Sequence, residues 1–206
     1  MKGTAVSEFV IFIIGIALHS TSKLLSVAPI SNSSTLVANM RVLGVDCGTE
    51  CTGYGVVDLD EREKLSCVSF GGIHLSAREP LPIRLAAVFE QLCDVIEQHR
   101  PERVAIEDVF YAVNAKSALK LGQVRGVAML AASSRKVEVA EYAPLTIKAS
   151  VVGYGRAEKE QVQMMVARLL ALNTIPEPTD AADALAIAIC DLHTQGTLRR
   201  QRAASG

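Results

Sequence analysis

The chain has 206 residues, half of them hydrophobic but only 4% aromatic, and a formal net charge of −1. That length allows one domain, or one domain with a tail, and the charge balance disfavours a non-specific coat on nucleic acid without excluding a DNA enzyme, which would need local basic patches rather than a global positive field. The five cysteines, Cys47, Cys51, Cys67, Cys93 and Cys190, are odd in number and lack C-x-x-C spacing, so they read as reduced, mostly buried thiols of a cytoplasmic protein.

Residues 1–39 differ from the rest. A lone Lys2 precedes an apolar run, Phe9–Leu18 (FVIFIIGIAL), and Ser-rich sequence follows. The run falls far short of the roughly 20 residues that cross a bilayer, so no membrane anchor is expected, although it has the outline of a signal-peptide core. The favoured expectation is an over-extended start, with Met40 as the natural initiator directly before the first strand. A disordered or tethering extension and a secretion signal are the other two readings.

Val42–Asp58, VLGVDCGTECTGYGVVD, reads as a hairpin of two β-branched-rich runs around a Gly/Thr turn, with Asp46 near the exit of the first strand. An Asp before Gly also starts ordinary turns, so Asp46 gains its meaning from acids further on. Lys64–Leu75 reads as a third strand broken by Gly71–Gly72. Pro80 and Pro82 introduce a helix burying Leu85, Val88, Phe89, Leu92, Val95, Ile96 and His99, and Arg100–Pro101 ends it. Arg103–Val109 is a short apolar strand with Glu107 just past its middle. Three strands in a meander and one after a crossover helix predict an α/β sheet of mixed direction.

Lys116–Ser134 is a helix of small residues, in which Ala118, Gly122 and Gly126 would let its own sheet or a second subunit approach closely. Val137–Tyr142 is a fifth strand, and Pro144 starts a short helix bearing Lys148. The loop in Val151–Gln163 (VVGYGRAEKEQVQ) lacks the Gly-Lys-Ser/Thr of a phosphate-binding Walker loop. Its Arg156 and Lys159 are either solvated or meet the phosphates of a polymer. From Glu158 a helix buries Val162, Met165, Val166, Leu169 and Leu170. The last helix is expected to start on Thr179 as N-cap, with Asp180 and Asp183 on one face. Acids there are ordinary capping chemistry. The rest of that helix is almost wholly apolar, however, so it is buried and aims both acids at the edge of the sheet. Residues 195–206, with Arg199, Arg200 and Arg202, read as a basic flexible tail.

Asp46, Glu107, Asp180 and Asp183 thus form one candidate constellation. Four convergent carboxylates repel one another unless hard divalent cations sit among them, and Mg²⁺ takes oxygen ligands at roughly 2.0–2.1 Å. Two such ions about 3.5–4 Å apart suit an in-line phosphoryl displacement. A phosphodiester nuclease is the natural chemistry.

With these stretches assembled, the chain resembles the RuvC family of Holliday-junction resolvases, a branch of the ribonuclease H-like fold. The matching segments are VLGVDCGTECTGYGVV, VAIEDVFYAVNAKSALKLGQVRGVA, IKASVVGYGRAEKEQVQ and DAADALAIAI, and they span Met40 to about His193. The resemblance implies a ribonuclease H-like α/β fold with a five-stranded mixed sheet flanked by helices, in a nuclease domain over residues 40–194. It makes Asp46, Glu107, Asp180 and Asp183 the catalytic, metal-binding acids, holding two Mg²⁺ ions for which Mn²⁺ substitutes. Phe110 would stack on a junction base, Lys148 and Lys159 would lie near the scissile phosphate, and Arg156 would be a further DNA contact. The implied reaction is resolution of four-way junction DNA by symmetric nicks in two strands of like polarity, leaving 5′-phosphates. A homodimer working beside RuvA and RuvB is implied as well. Cys47 departs from the family, where proline is usual, and only backbone stiffness changes with it.

Two other classes compete. An actin-like ATPase opens with a similar Asp-x-Gly-Thr hairpin but needs two such domains and a glycine-rich adenosine motif. A non-catalytic junction-binding module has no need for all four acids.

Overall fold

The computed structural model describes residues 39–108 and 115–205; the expectations placed on residues 1–38 and on Phe110 lie outside them. β1 (Met40–Asp46) and β2 (Cys51–Leu59) form the expected hairpin, and β3 (Leu65–His74) extends it. α1 (Leu81–His99) crosses to β4 (Arg103–Glu107), and α2 (Ala115–Ser134) crosses to β5 (Glu138–Tyr142). α3 (Pro144–Val152), α4 (Lys159–Leu169) and α5 (Thr179–Ala204) complete the chain. The sheet order is β3-β2-β1-β4-β5. The first three strands pair antiparallel, and β4 and β5 join parallel. This is the mixed α/β sheet that the strand order predicts. No helix among the described residues is long and apolar enough to cross a membrane.

Strand alternation sorts the core into two layers. Val42, Val57 and Ala105 face α3, α4 and α5, whereas Leu43, Val45, Val56, Val104 and Ile106 face α1 and α2. α5 is buried almost all round from Ala181 to Leu192, as a central helix must be. Leu185, Ile187, Ile189 and Leu192 are each 2% exposed or less, and each contributes roughly 1.5–3 kcal/mol on burial.

Two glycines let α5 sit on the sheet at backbone contact. A Cβ added at Gly44 would lie 2.0 Å from the Ala184 carbonyl oxygen, and one at Gly53 would lie 2.0 Å from that of Asp180. The rotation of α5 is pinned by Asp191, fully buried, which accepts from Arg103 Nε at 3.0 Å and from the Tyr142 hydroxyl at 2.6 Å.

Several local expectations change. β3 runs unbroken through Gly71 and Gly72, which pair with Tyr54 and Gly53; side chains there would strike the Tyr54 ring, Pro178 and Cys51. In α1, Cys93 is buried where the periodicity left it out, and His99 is only half-buried, its carbonyl accepting from Arg41 at 2.8 Å. Glu107 ends its strand rather than sitting near its middle. The N-cap of α5 is Pro178, with Thr179 the first helical residue. Residues 195–204 are not a flexible tail but the last turns of α5, held where Gly196 is buried close to Leu59 and Glu63 and Arg200 pairs with Glu63. All five cysteines are free, but only Cys93 and Cys190 are fully buried.

Candidate active site

The acids are gathered by register. Val45 of β1 aligns with Ile106 of β4, so Asp46 and Glu107 are the next residues on adjacent parallel strands. Asp46 shares its strand face with Val42 and Gly44, and Glu107 shares its own with Ala105, so both turn toward α5. α5 begins over the same end of the sheet because its first carbonyls rest against Gly53. That contact places Asp180 in its first turn and Asp183 three residues on, on one helical face.

The result is a cavity of about 180 Å³ lined by Asp46, Glu107, Asp183, Lys148 and Lys159, with an apolar floor from α3, α4 and α5. Asp180 stands beside it: a Cβ on Gly48, in the β1–β2 turn, would be 3.8 Å from its Oδ1. Lys159, at the start of α4, reaches across to Asp183 at 2.6 Å. Lys148 of α3 donates to the Ala157 carbonyl at 2.8 Å, which holds its ammonium at the cavity wall. Arg156 is exposed on the turn before α4 and does not line the cavity.

The electrostatics follow from this crowding. Burial first, then the charges of Asp183, Glu107 and Asp180, push the Asp46 carboxyl up to about 7, against the pull of Lys159. Burial and Asp183 raise Glu107 too, while Lys148 and Lys159 pull it down. The hydrogen bond to Asp183 is the main reason that Lys159 holds its proton more tightly. A carboxyl that resists ionising next to three others signals a cluster short of positive charge. The donors are all oxygens, the set that suits a hard divalent cation. With Lys159 on Asp183, no three His, Cys, Asp or Glu side chains among the described residues form a ready metal cage.

Residue patterns missed two neighbours. The Cys51 thiol packs against Asp180 and is pushed up to about 11 by burial and by that carboxylate. Arg125 of α2 donates to the Glu107 carbonyl. Its signal in the sequence was indirect: Glu107, Asp108 and Glu141 at neighbouring strand ends need a cation.

The sequence profile described as "Crossover junction endodeoxyribonuclease RuvC" matches residues 42–191. The chain belongs to the RuvC family. A RuvC of Koribacter versatilis is 65% identical over 164 residues, covering 80% of this chain and 99% of the relative. One from Acidobacterium capsulatum is 54% identical over 172 residues, covering 79% and 99%. Among solved structures, Thermus thermophilus RuvC in complex with Holliday junction substrate superposes with a TM-score of 0.72 at 33% identity, over 76% of this chain and 94% of that one. The yeast mitochondrial resolvase Ydc2, 18% identical with a TM-score of 0.61 over 80% of this chain and 82% of that one, shares the fold. The RuvC match covers every element from β1 to the middle of α5, and the ribonuclease H-like sheet is the fold that the segments implied.

Proposed function

We propose that the chain resolves four-way (Holliday) DNA junctions, as a structure-specific endodeoxyribonuclease of recombination and repair. It would nick two strands of like polarity at symmetric positions and leave 5′-phosphate ends. The observation that carries this reading is the meeting of Asp46, Glu107 and Asp183 with Lys148 and Lys159 in one cavity, with Asp180 beside it, in a chain whose relatives are named crossover junction endodeoxyribonucleases.

The four acids are assigned to two divalent cations, Mg²⁺ with Mn²⁺ as substitute, with Asp46 and Asp183 as the central ligands. Such ions would withdraw charge from the scissile phosphate and favour ionisation of the attacking water. The rest falls to the protein. Asp46 would hold a cation as its carboxylate, so it would give up the proton that burial and the neighbouring acids help it keep. Lys148, held by the Ala157 carbonyl, would meet phosphate oxygens. Lys159 neutralises Asp183, and would face the phosphate if a cation took over that role. Arg156, which does not line the cavity, and Phe110 are assigned to DNA contacts, Phe110 by stacking on a junction base. The working unit would be a homodimer, in the cytoplasm, beside RuvA and RuvB as the family resemblance implies.

The deciding assay incubates the protein with a synthetic four-way junction and Mg²⁺, with a linear duplex of the same sequence as control. Paired, ligatable nicks in the junction alone support the proposal. Equal cutting of both substrates, or of neither, overturns it.

A further inference from the structure

The ladder between β1 and β4 ends at Val45 and Ile106, one residue short of the two acids it serves. On its other side β4 continues, for the Asp108 N–H donates to the Tyr142 carbonyl at 2.8 Å. In a trans peptide the carbonyl points opposite to the N–H. The Glu107 carbonyl therefore faces β1, which stops at Asp46 and offers no further rung.

Arg125, from the middle of α2, fills that gap. Its Nε donates to the Glu107 carbonyl at 3.1 Å. Its Nη2 pairs with Asp108 at 3.3 Å and with Glu141 of β5. One guanidinium thus ties the end of β4 to β5 and to α2, with its side chain only 18% exposed. Two of these contacts lie on Glu107 and its chain neighbour Asp108, and the third is on Glu141, which pairs in register with Ile106.

We propose that Arg125 is a positioning residue for the metal-binding acids: it replaces the missing β1 rung, fixes the last peptide of β4, and so aims Glu107 at the space beside Asp46. The inference rests on the nuclease reading above. Arg suits this role because its planar fork presents N–H donors in several fixed directions, whereas a Lys ammonium is one point charge on a flexible stem. Convergent metal ligands tolerate errors of only about 0.5 Å. Loss of a group that orients a ligand typically weakens metal binding about 10- to 100-fold.

The experiment compares the full wild-type chain with Arg125→Met and Arg125→Lys. Mn²⁺ affinity is measured by electron paramagnetic resonance, junction affinity without metal by gel shift, cleavage against Mg²⁺ concentration, and folding by thermal melts. Arg125→Met should bind the junction as wild type does, bind Mn²⁺ about tenfold or more weakly, and need proportionally more Mg²⁺ for half-maximal cutting. Arg125→Lys should fold normally and still show most of the Mn²⁺ defect, because it restores charge without the fork. If Arg125→Met does not fold, the Lys variant decides alone. Wild-type Mn²⁺ affinity in a folded Arg125→Met, or full rescue by Lys, overturns the proposal. A wild-type chain that binds no Mn²⁺ and cuts no junction overturns the nuclease reading itself, and that arm reports independently of the variants.

Discussion

Asp46 is held back from ionising, first by burial and then by its acidic neighbours, and its proton can be followed. Its carboxyl is raised to about 7 in the fold but ionises near pH 4 in an unfolded chain. Between roughly pH 4 and pH 7 the native state keeps a proton that the unfolded state has lost. Stability contributed by this group is therefore complete below about pH 4, falls as pH rises through that window, and levels off above about 7. Asp46→Asn removes the effect. Without divalent metal the variant should be more stable than the parent at about pH 8, on the order of 1–3 kcal/mol, and little different at about pH 4. Urea unfolding in EDTA at both pH values measures this, and equal stability at the higher pH would mean that the ionised cluster needs no cation. The same variant should lose cleavage while binding the junction as well or better, since one negative charge near the phosphates is gone. In the parent, Ca²⁺ should support binding without cutting, because its longer and looser coordination does not hold an in-line geometry.

At the scale of elements, the site depends on how closely α5 lies on β1 and β2. Gly53→Ala puts a Cβ 2.0 Å from the Asp180 carbonyl oxygen, so the start of α5 must lift and carry Asp180 and Asp183 away from Asp46. The expected outcome is a loss of about 1–3 kcal/mol from overpacking. Cleavage should fall about 100-fold, the typical cost of a 1 Å misplacement, with junction binding retained. Unchanged cleavage in a folded Gly53→Ala would separate the helix contact from the chemistry. That the four acids would come together was legible in the sequence because strand exits and a helix start are local patterns, and so were the five strands and the mixed direction of their sheet. The role of Gly53 was not, since its partner lies 127 positions away and only the packed helix shows why a side chain is excluded. The same holds for Arg125, which reads as a surface residue until β4 and β5 are laid side by side. Residues 195–204 looked like a loose tail because their sequence is polar and basic. Their helix is held by a long-range pair, Arg200 with Glu63, and by Gly196 beside Leu59 and Glu63.

For the whole molecule, β1 begins at Met40, whose side chain is 4% exposed in the core. A chain starting at Met40 is therefore expected to fold and to cut, as a thermal melt and the junction assay would report; loss of either would give residues 1–39 a structural role. The described residues hold one such acidic cluster per chain, whereas the proposed resolution of a junction needs two cuts, and a two-fold dimer would present two equal clusters to two equivalent strands. α2 offers a face for it: Leu119 and Leu130 are 71% and 58% exposed, and Gly122 and Gly126 between them have nothing within 4 Å of an added Cβ. Their spacing of three, four and four residues keeps them on one side of the helix. In a lone chain Gly126→Ala should stabilise α2 by about 0.5–1 kcal/mol, since glycine in a helix interior costs that much. If a second copy packs on this face, the same methyl group should instead weaken the dimer, and sedimentation against thermal melting separates the two effects. A mixed dimer of wild-type and Asp46→Asn chains then tests the division of labour on a supercoiled cruciform plasmid. One functional cluster should give nicked circles, whereas linear product at the wild-type rate would mean that a single chain cuts both strands.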